Sequence, residues 1–219
     1  MFPLSYFDWA EIAALLTGLF CLYSLKGSAF RPLVGLLGLV VAAELLGRYI
    51  VKVLHRQNNV WVFNISTNIE FVIYALIFYR CLTFPAFKRI AWWFLCLYPL
   101  VAFINVVFIQ GFFYFHSMTM SLGSLFMILF CCLSFYEILY LREKMNLLQM
   151  PLFWFSTGIL FFYTGDLLYN LFFSYLVSNR FNYKLLFRSI NNNLIILLYF
   201  CFIVTFLCLK KNNRSLPES

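Results

Sequence analysis

Seven long apolar runs, separated by short clusters of polar and turn-forming residues, account for nearly the whole chain. They cover Trp9–Leu25, Leu33–Val51, Trp61–Leu82, Ile90–Ile109, Ser117–Leu141, Leu152–Val177 and Ile190–Leu209. Each is close to the roughly 20 residues of helix that cross a hydrocarbon core of about 30 Å. The breaks carry turn chemistry: Lys26-Gly27-Ser28 with Pro32, Gln57-Asn58-Asn59, Pro85, Gln110-Gly111, Pro151 and Ser178-Asn179-Arg180. All five tryptophans (Trp9, Trp61, Trp92, Trp93, Trp154) stand within a few residues of a predicted helix start, as an interfacial aromatic belt requires. The pattern predicts an all-α integral membrane protein, with one seven-helix domain over residues 1–209 and a short basic cytoplasmic tail over 210–219. The first run does not read as a cleaved signal peptide. It opens on Asp8 and Glu11 rather than on basic residues, and no small-x-small site follows it.

Composition removes the soluble alternatives. The chain is 64% hydrophobic and only 11% charged, with a mean hydropathy of +0.88, against about a quarter charged in an average soluble domain. A soluble sphere of this size has no place for so much apolar surface. The 16 Lys and Arg against 8 Asp and Glu give a net charge of +8. Because the basic residues occupy short loops, they read as insertion signals and headgroup contacts, not as a nucleic-acid surface. Ten of them (Lys26, Arg31, Arg80, Lys88, Arg89, Arg142, Lys144, Lys210, Lys211, Arg214) fall on one side. At most six (Arg48, Lys52, Arg56, Arg180, Lys184, Arg188) fall on the other. The positive-inside rule then places the N-terminus outside and the C-terminus in the cytoplasm, with a bacterial cytoplasmic (inner) membrane as the expected setting. All seven cysteines lie inside apolar runs and none forms C-x-x-C, so neither a disulfide framework nor a zinc site is indicated.

A weak internal echo suggests a 3+1+3 repeat. Glu44 and Arg48 in the second span correspond to Asp166 and Asn170 in the sixth, and Asn68 and Tyr74 to Asn193 and Tyr199, at offsets of 122 and 125 residues. The fourth span would then be an inverting linker between parallel triplets.

Polar groups inside the spans single out candidate functional residues, because ionisable groups in hydrocarbon are costly and mark function or a bundle-holding pairing. Glu70 and Asp166 lie roughly 13–17 Å from their outer helix ends, near the midplane, and Glu44 is shallower. Glu11 and Glu137 stand close enough to helix ends to be expected at the interface. With the predicted orientation, Glu44, Arg48, Asn64, Asn68, Glu70, Asp166, Asn170 and Asn193 all fall in the outer half, and His116 with Ser117, Thr119 and Ser121 joins that level. The inner half is almost wholly apolar. Helical spacing predicts an i,i+4 ion pair between Glu44 and Arg48. It also places Tyr163, Asp166 and Asn170 on one stripe, and Ser66, Glu70 and Tyr74 on another.

No H-E-x-x-H, G-x-S-x-G, Walker A or G-x-G-x-x-G motif occurs, and no cofactor or metal site is expected. The absence of lysine between Lys184 and Lys210 excludes a retinal Schiff base in the last span. Spans one and five lack the proline usual in sugar- and cystine-type 3+1+3 carriers.

The segment Pro151-Leu-Phe-Trp154-Phe-Ser-Thr-Gly158-Ile-Leu-Phe-Phe-Tyr163-Thr-Gly165, with Asn64-Ile-Ser-Thr-Asn68-Ile-Glu70 and the Asn-rich start of the last span, resembles a family of uncharacterised bacterial seven-helix membrane proteins over essentially the whole chain. The layout is more distantly similar to the seven-helix input regions of bacterial sensor kinases. That resemblance implies an outward-facing sensor signalling to a cytoplasmic or membrane partner protein. The expectation is therefore a non-enzymatic sensor or receptor module, holding a small polar ligand or ion in an outward pocket. Glu44, Arg48, Asn64, Asn68, Glu70, Tyr163, Asp166, Asn170 and Asn193 would line it. A secondary carrier of a small solute, an intramembrane lipid hydrolase using Glu44 with Asp166, and a structural subunit of a membrane complex stand as alternatives.

Overall fold

A computed structural model describes the backbone of residues 6–55, 58–141, 146–178 and 183–214, and their side chains apart from those of 169–178, 183–188 and 213–214. The described residues form seven α-helices and no strand. These are α1 (Tyr6–Phe20), α2 (Arg31–Lys52), α3 (Val60–Cys81), α4 (Pro85–Ile104), α5 (Ser117–Leu141), α6 (Pro151–Ser178) and α7 (Tyr183–Arg214). Five stretches are long and apolar enough to cross a membrane: Arg31–Lys52, Val60–Cys81, Pro85–Ile109, Ser117–Leu141 and Ser189–Asn212. They mark a membrane protein. The 28 residues of α6 are also long enough to cross, whereas α1 has only 15. At 1.5 Å per residue α1 alone reaches roughly 22 Å. A run of hydrogen-bonded turns, including Cys21 N–H to the Thr17 carbonyl and Leu25 N–H to that of Cys21, carries its path onward to Lys26.

Proline sets three of the helix starts. Pro32, Pro85 and Pro151 each stand in a first turn, where the missing N–H would have had no intrahelical partner. Pro99 lies inside α4. A π-helical turn, Asn105–Ile109, continues that helix, closed by the Gln110 N–H on the Asn105 carbonyl at 2.8 Å.

The chain divides into two compact units, one of residues 29–123 and one of residues 1–28 with 124–219. In the first, α3 packs on both α2 and α4. Its buried rings include Phe71, Phe78, Phe94 and Tyr98, with Phe94 stacked on Tyr98 at 4.8 Å and Phe71 edge-on to Tyr98 at 5.6 Å. Gly47 lets α2 approach α3: a Cβ there would lie 2.9 Å from the Phe63 ring, and the Asn59 amide donates to the Gly47 carbonyl at 3.2 Å.

In the second unit α7 packs on α6 and on α1. Tyr6 accepts a hydrogen bond from Asn192 at 3.1 Å, and Lys210 stands 3.8 Å over the Phe20 ring, so α1 and α7 run in the same direction. Gly158 and Gly165 give α7 its close contact with α6, facing Cys201 and Leu194. Phe155 stacks on Phe202 at 5.7 Å. This grouping differs from the triplet reading of the sequence, because α1 joins α6 and α7 rather than α2 and α3.

Large apolar side chains face outward from both units: Trp9, Phe20 and Tyr23 on one, Leu100, Phe103 and Phe108 on the other. On a soluble protein such patches would drive association; in a bilayer they are the lipid contact. The cysteines are free thiols, with Cys21, Cys131 and Cys201 buried.

One buried polar contact crosses from α5 to α6. Ser134 donates to the Cys131 carbonyl at 2.8 Å, and its Oγ lies 2.7 Å from that of Ser156, so Ser156 is left to donate to Ser134. Ser134→Ala should cost about 1 kcal/mol, since the buried Ser156 hydroxyl loses its acceptor, and adding Ser156→Ala should recover part of that loss. Thermal unfolding of the two singles and the double checks this. Strictly additive losses would mean the hydroxyls do not interact.

Candidate functional site

The polar residues of the spans come together in small groups, each within one unit. On α2, Arg48 Nη2 stands 3.5 Å from Glu44 Oε2, the i,i+4 ion pair that the spacing predicts. The charge of Glu44 is thus met on its own helix. On α3, the Tyr74 hydroxyl donates to Glu70 Oε1 at 2.8 Å, one turn apart. Asn68 accepts from the buried Tyr98 hydroxyl of α4 at 2.8 Å, with the Thr119 carbonyl of α5 at 3.4 Å from the same oxygen. Tyr98 was not legible as a partner, because an aromatic in a hydrophobic run gives no sign of where its hydroxyl points.

Asn64, also on α3, is 5% exposed and works in a different direction. Its Nδ2 donates to the Tyr114 carbonyl at 2.8 Å, and its Oδ1 accepts from the His116 N–H at 3.4 Å. Both ends of the amide hold the α4–α5 connection, so Asn64 reads as a clamp and not as a pocket group. His116 is part of the same construction. Its Nε2 lies 2.9 Å from the Gly111 carbonyl and must carry the proton, since a carbonyl only accepts. Asn105 donates to Gln110 at 2.8 Å, and Gln110 to Ser117 at 3.0 Å. Asn105 Oδ1 and His116 Nδ1 are buried acceptors with no hydrogen-bond partner among the described residues. A donor as small as water suits such atoms.

In the other unit, Asp166 Oδ2 on α6 accepts from Ser124 Oγ on α5 at 3.2 Å. Tyr163, one turn away, is buried. The side chain of Asn170 lies outside the described residues. Asn193 is exposed, whereas Asn191 and Asn192 are half-buried.

Glu11 and Glu137, expected at the interface, are buried against protein at 5% and 4% exposure, and Asp8, for which the sequence set no expectation, is 4% exposed. The reason on α1 is its small face. Asp8, Glu11, Ala14 and Gly18 form one buried stripe, while Trp9, Leu16, Leu19 and Phe20 cover the other side. In lipid the bulky apolar face turns outward and the small, polar face packs on protein. The spacing of those four residues was the available signal.

The expected polar pocket has an apolar counterpart in the 29–123 unit. A groove of about 240 Å³ runs between α2 and α3, lined by Leu39, Ala43, Leu46, Trp61, Ile65 and Ile69 among others. Such a lining offers almost nothing to orient a polar ligand. Among the described residues, no group of three His, Cys, Asp or Glu side chains is placed to hold a metal ion. No protein-family model, curated protein or solved structure matches the chain.

Proposed function

We propose that this chain is a non-enzymatic, multi-pass membrane module of the sensor or receptor type, with Asp166 as the principal group for a small polar ligand or cation. The observation that supports this most directly is the half-buried Asp166 carboxylate on an apolar helix, met at 3.2 Å by the Ser124 hydroxyl. A carboxylate within an apolar helix is costly and marks function or a bundle-holding pairing, and the hydroxyl donor gives this one a fixed orientation. Tyr163 stands on the same face of α6, one turn away. Seven crossings, with the N-terminus outside, complete the proposal. The common direction of α1 and α7 supports an odd number of passes, because helices one and seven then cross the same way.

Ligand binding would bias the packing of α5 against α6, which is how a module of this kind passes a signal to a partner. Native mass spectrometry of the gently solubilised protein, wild type beside Asp166→Asn, tests the reading. A stoichiometric small adduct on wild type, several-fold depleted in the variant, is the expected result. Bare chain in both would overturn it, and solute flux in proteoliposomes would replace it with a carrier.

A further inference from the structure

The connection between α4 and α5 is built for an apolar medium. From Ile90 to Tyr136 the chain contains no Asp, Glu, Lys or Arg, so α4 beyond Arg89, the connection and α5 as far as Glu137 carry none of these side chains. Within the connection, Phe108, Phe113 and Tyr114 are 76%, 60% and 73% exposed, and Phe112 and Phe115 are exposed as well. A loop in water would present polar side chains and leave its carbonyls to solvent.

Here the reverse holds. The carbonyl of Gly111 accepts from His116 Nε2, that of Phe113 from the Asn58 amide at 2.8 Å, that of Tyr114 from the Asn64 amide at 2.8 Å, and that of Phe115 from the Ser117 N–H at 3.0 Å. Gly111 takes the left-handed φ of +76° that turns the chain. Trp61 stacks on Phe112 at 6.0 Å and fixes the loop to the start of α3. The backbone's acceptors are drawn onto protein donors and the rings are turned out, which is the condition for irregular backbone to lie where water is scarce.

We propose that residues 107–115 lie in the headgroup–acyl boundary of the leaflet at that end of the molecule, with the phenylalanine rings among the upper acyl segments and the Tyr114 hydroxyl toward the headgroups. The occupant of this surface is lipid. The rings continue the exposed apolar face of α4 at Phe103 and Ile104, which belongs to a stretch, Pro85–Ile109, long and apolar enough to cross a membrane, so the lipid that covers that face reaches the rings as well. Asn58, Asn64 and His116 thereby gain a shared role as donors that keep the submerged turn satisfied. The inference does not rest on any ligand at Asp166.

The test places an environment-sensitive fluorescent amino acid at Phe113 and, separately, at Phe108, in the full chain reconstituted in lipid nanodiscs. Both positions are exposed, so the fold tolerates the probe. A control probe replaces Lys26, exposed in the turn after α1. Lipids brominated near the carbonyl end of the acyl chain should quench the loop probes strongly, and iodide should quench them several-fold less than the control. Iodide quenching equal to the control would put the loop in water and overturn the proposal. Protection from both quenchers would overturn it as well, by showing that another protein surface covers the rings.

Discussion

Gly158→Val is expected to lower stability by about 3 kcal/mol, at the upper end of what overpacking costs, and to lower the yield of folded protein. A Cβ at this position would lie 2.8 Å from the Cys201 Cβ and 3.4 Å from the Leu198 carbonyl oxygen. Neither atom is the free end of a flexible side chain, so α6 and α7 must separate to make room. In a bilayer that separation forfeits close packing, on which helix association there depends, without a compensating gain from burial. Gly165→Ala should be milder, because the atom in its way is the Leu194 Cδ1, which a rotamer change can move. Gly35→Ala, with nothing within 4 Å, should be neutral or stabilising by up to about 1 kcal/mol. Thermal unfolding in detergent, followed by loss of the monodisperse species, ranks the three. If Gly158→Val unfolds no earlier than Gly35→Ala, the α6–α7 contact is not as close as described.

The second large effect is expected at Asn64. Asn64→Leu fills a similar volume but removes the donor to the Tyr114 carbonyl and the acceptor for the His116 N–H. Leaving two backbone groups without protein partners at a buried position should cost about 2–4 kcal/mol. The connection between α4 and α5 should loosen first, read as faster amide exchange at Tyr114 to Ser117 in nanodiscs. Asn58→Ala, which removes the donor to the Phe113 carbonyl and the acceptor for the Val60 N–H at an exposed position, should loosen Tyr114 to Ser117 much less. Unchanged exchange in Asn64→Leu would contradict the clamp.

These two sites show how unevenly the sequence reported on the structure. The apolar runs located the helices well: Ser117–Leu141 coincides with α5, and Trp61–Leu82 and Leu152–Val177 differ from α3 and α6 by one residue at each end. The starts of α4 and α7 were placed late. Pro85 and Tyr183 begin helix several residues before the apolar run does, because hydropathy marks the part of a helix suited to lipid, not where its hydrogen bonds start. The Glu44–Arg48 pair was readable because both residues sit on one helix, where spacing alone decides proximity. Asn64 and Asn68 were flagged as polar groups in a span, yet their partners, His116, Tyr114 and Tyr98, lie dozens of residues away.

Local regularities were therefore determined by the chain itself: the existence of the helices, their suitability for a membrane, the prolines that start them, and the pairs one turn apart. All of these depend on periodicity and transfer free energy over a few neighbouring residues. Only the tertiary structure decided that α1 lies along α7, that Asp8 and Glu11 are buried against protein, and that an asparagine in α3 holds down the loop after the next helix. Each of those outcomes depends on which surfaces fit closely enough to meet. In a uniformly apolar solvent, hydrophobicity does not distinguish one helix partner from another, and shape and hydrogen bonding make the choice.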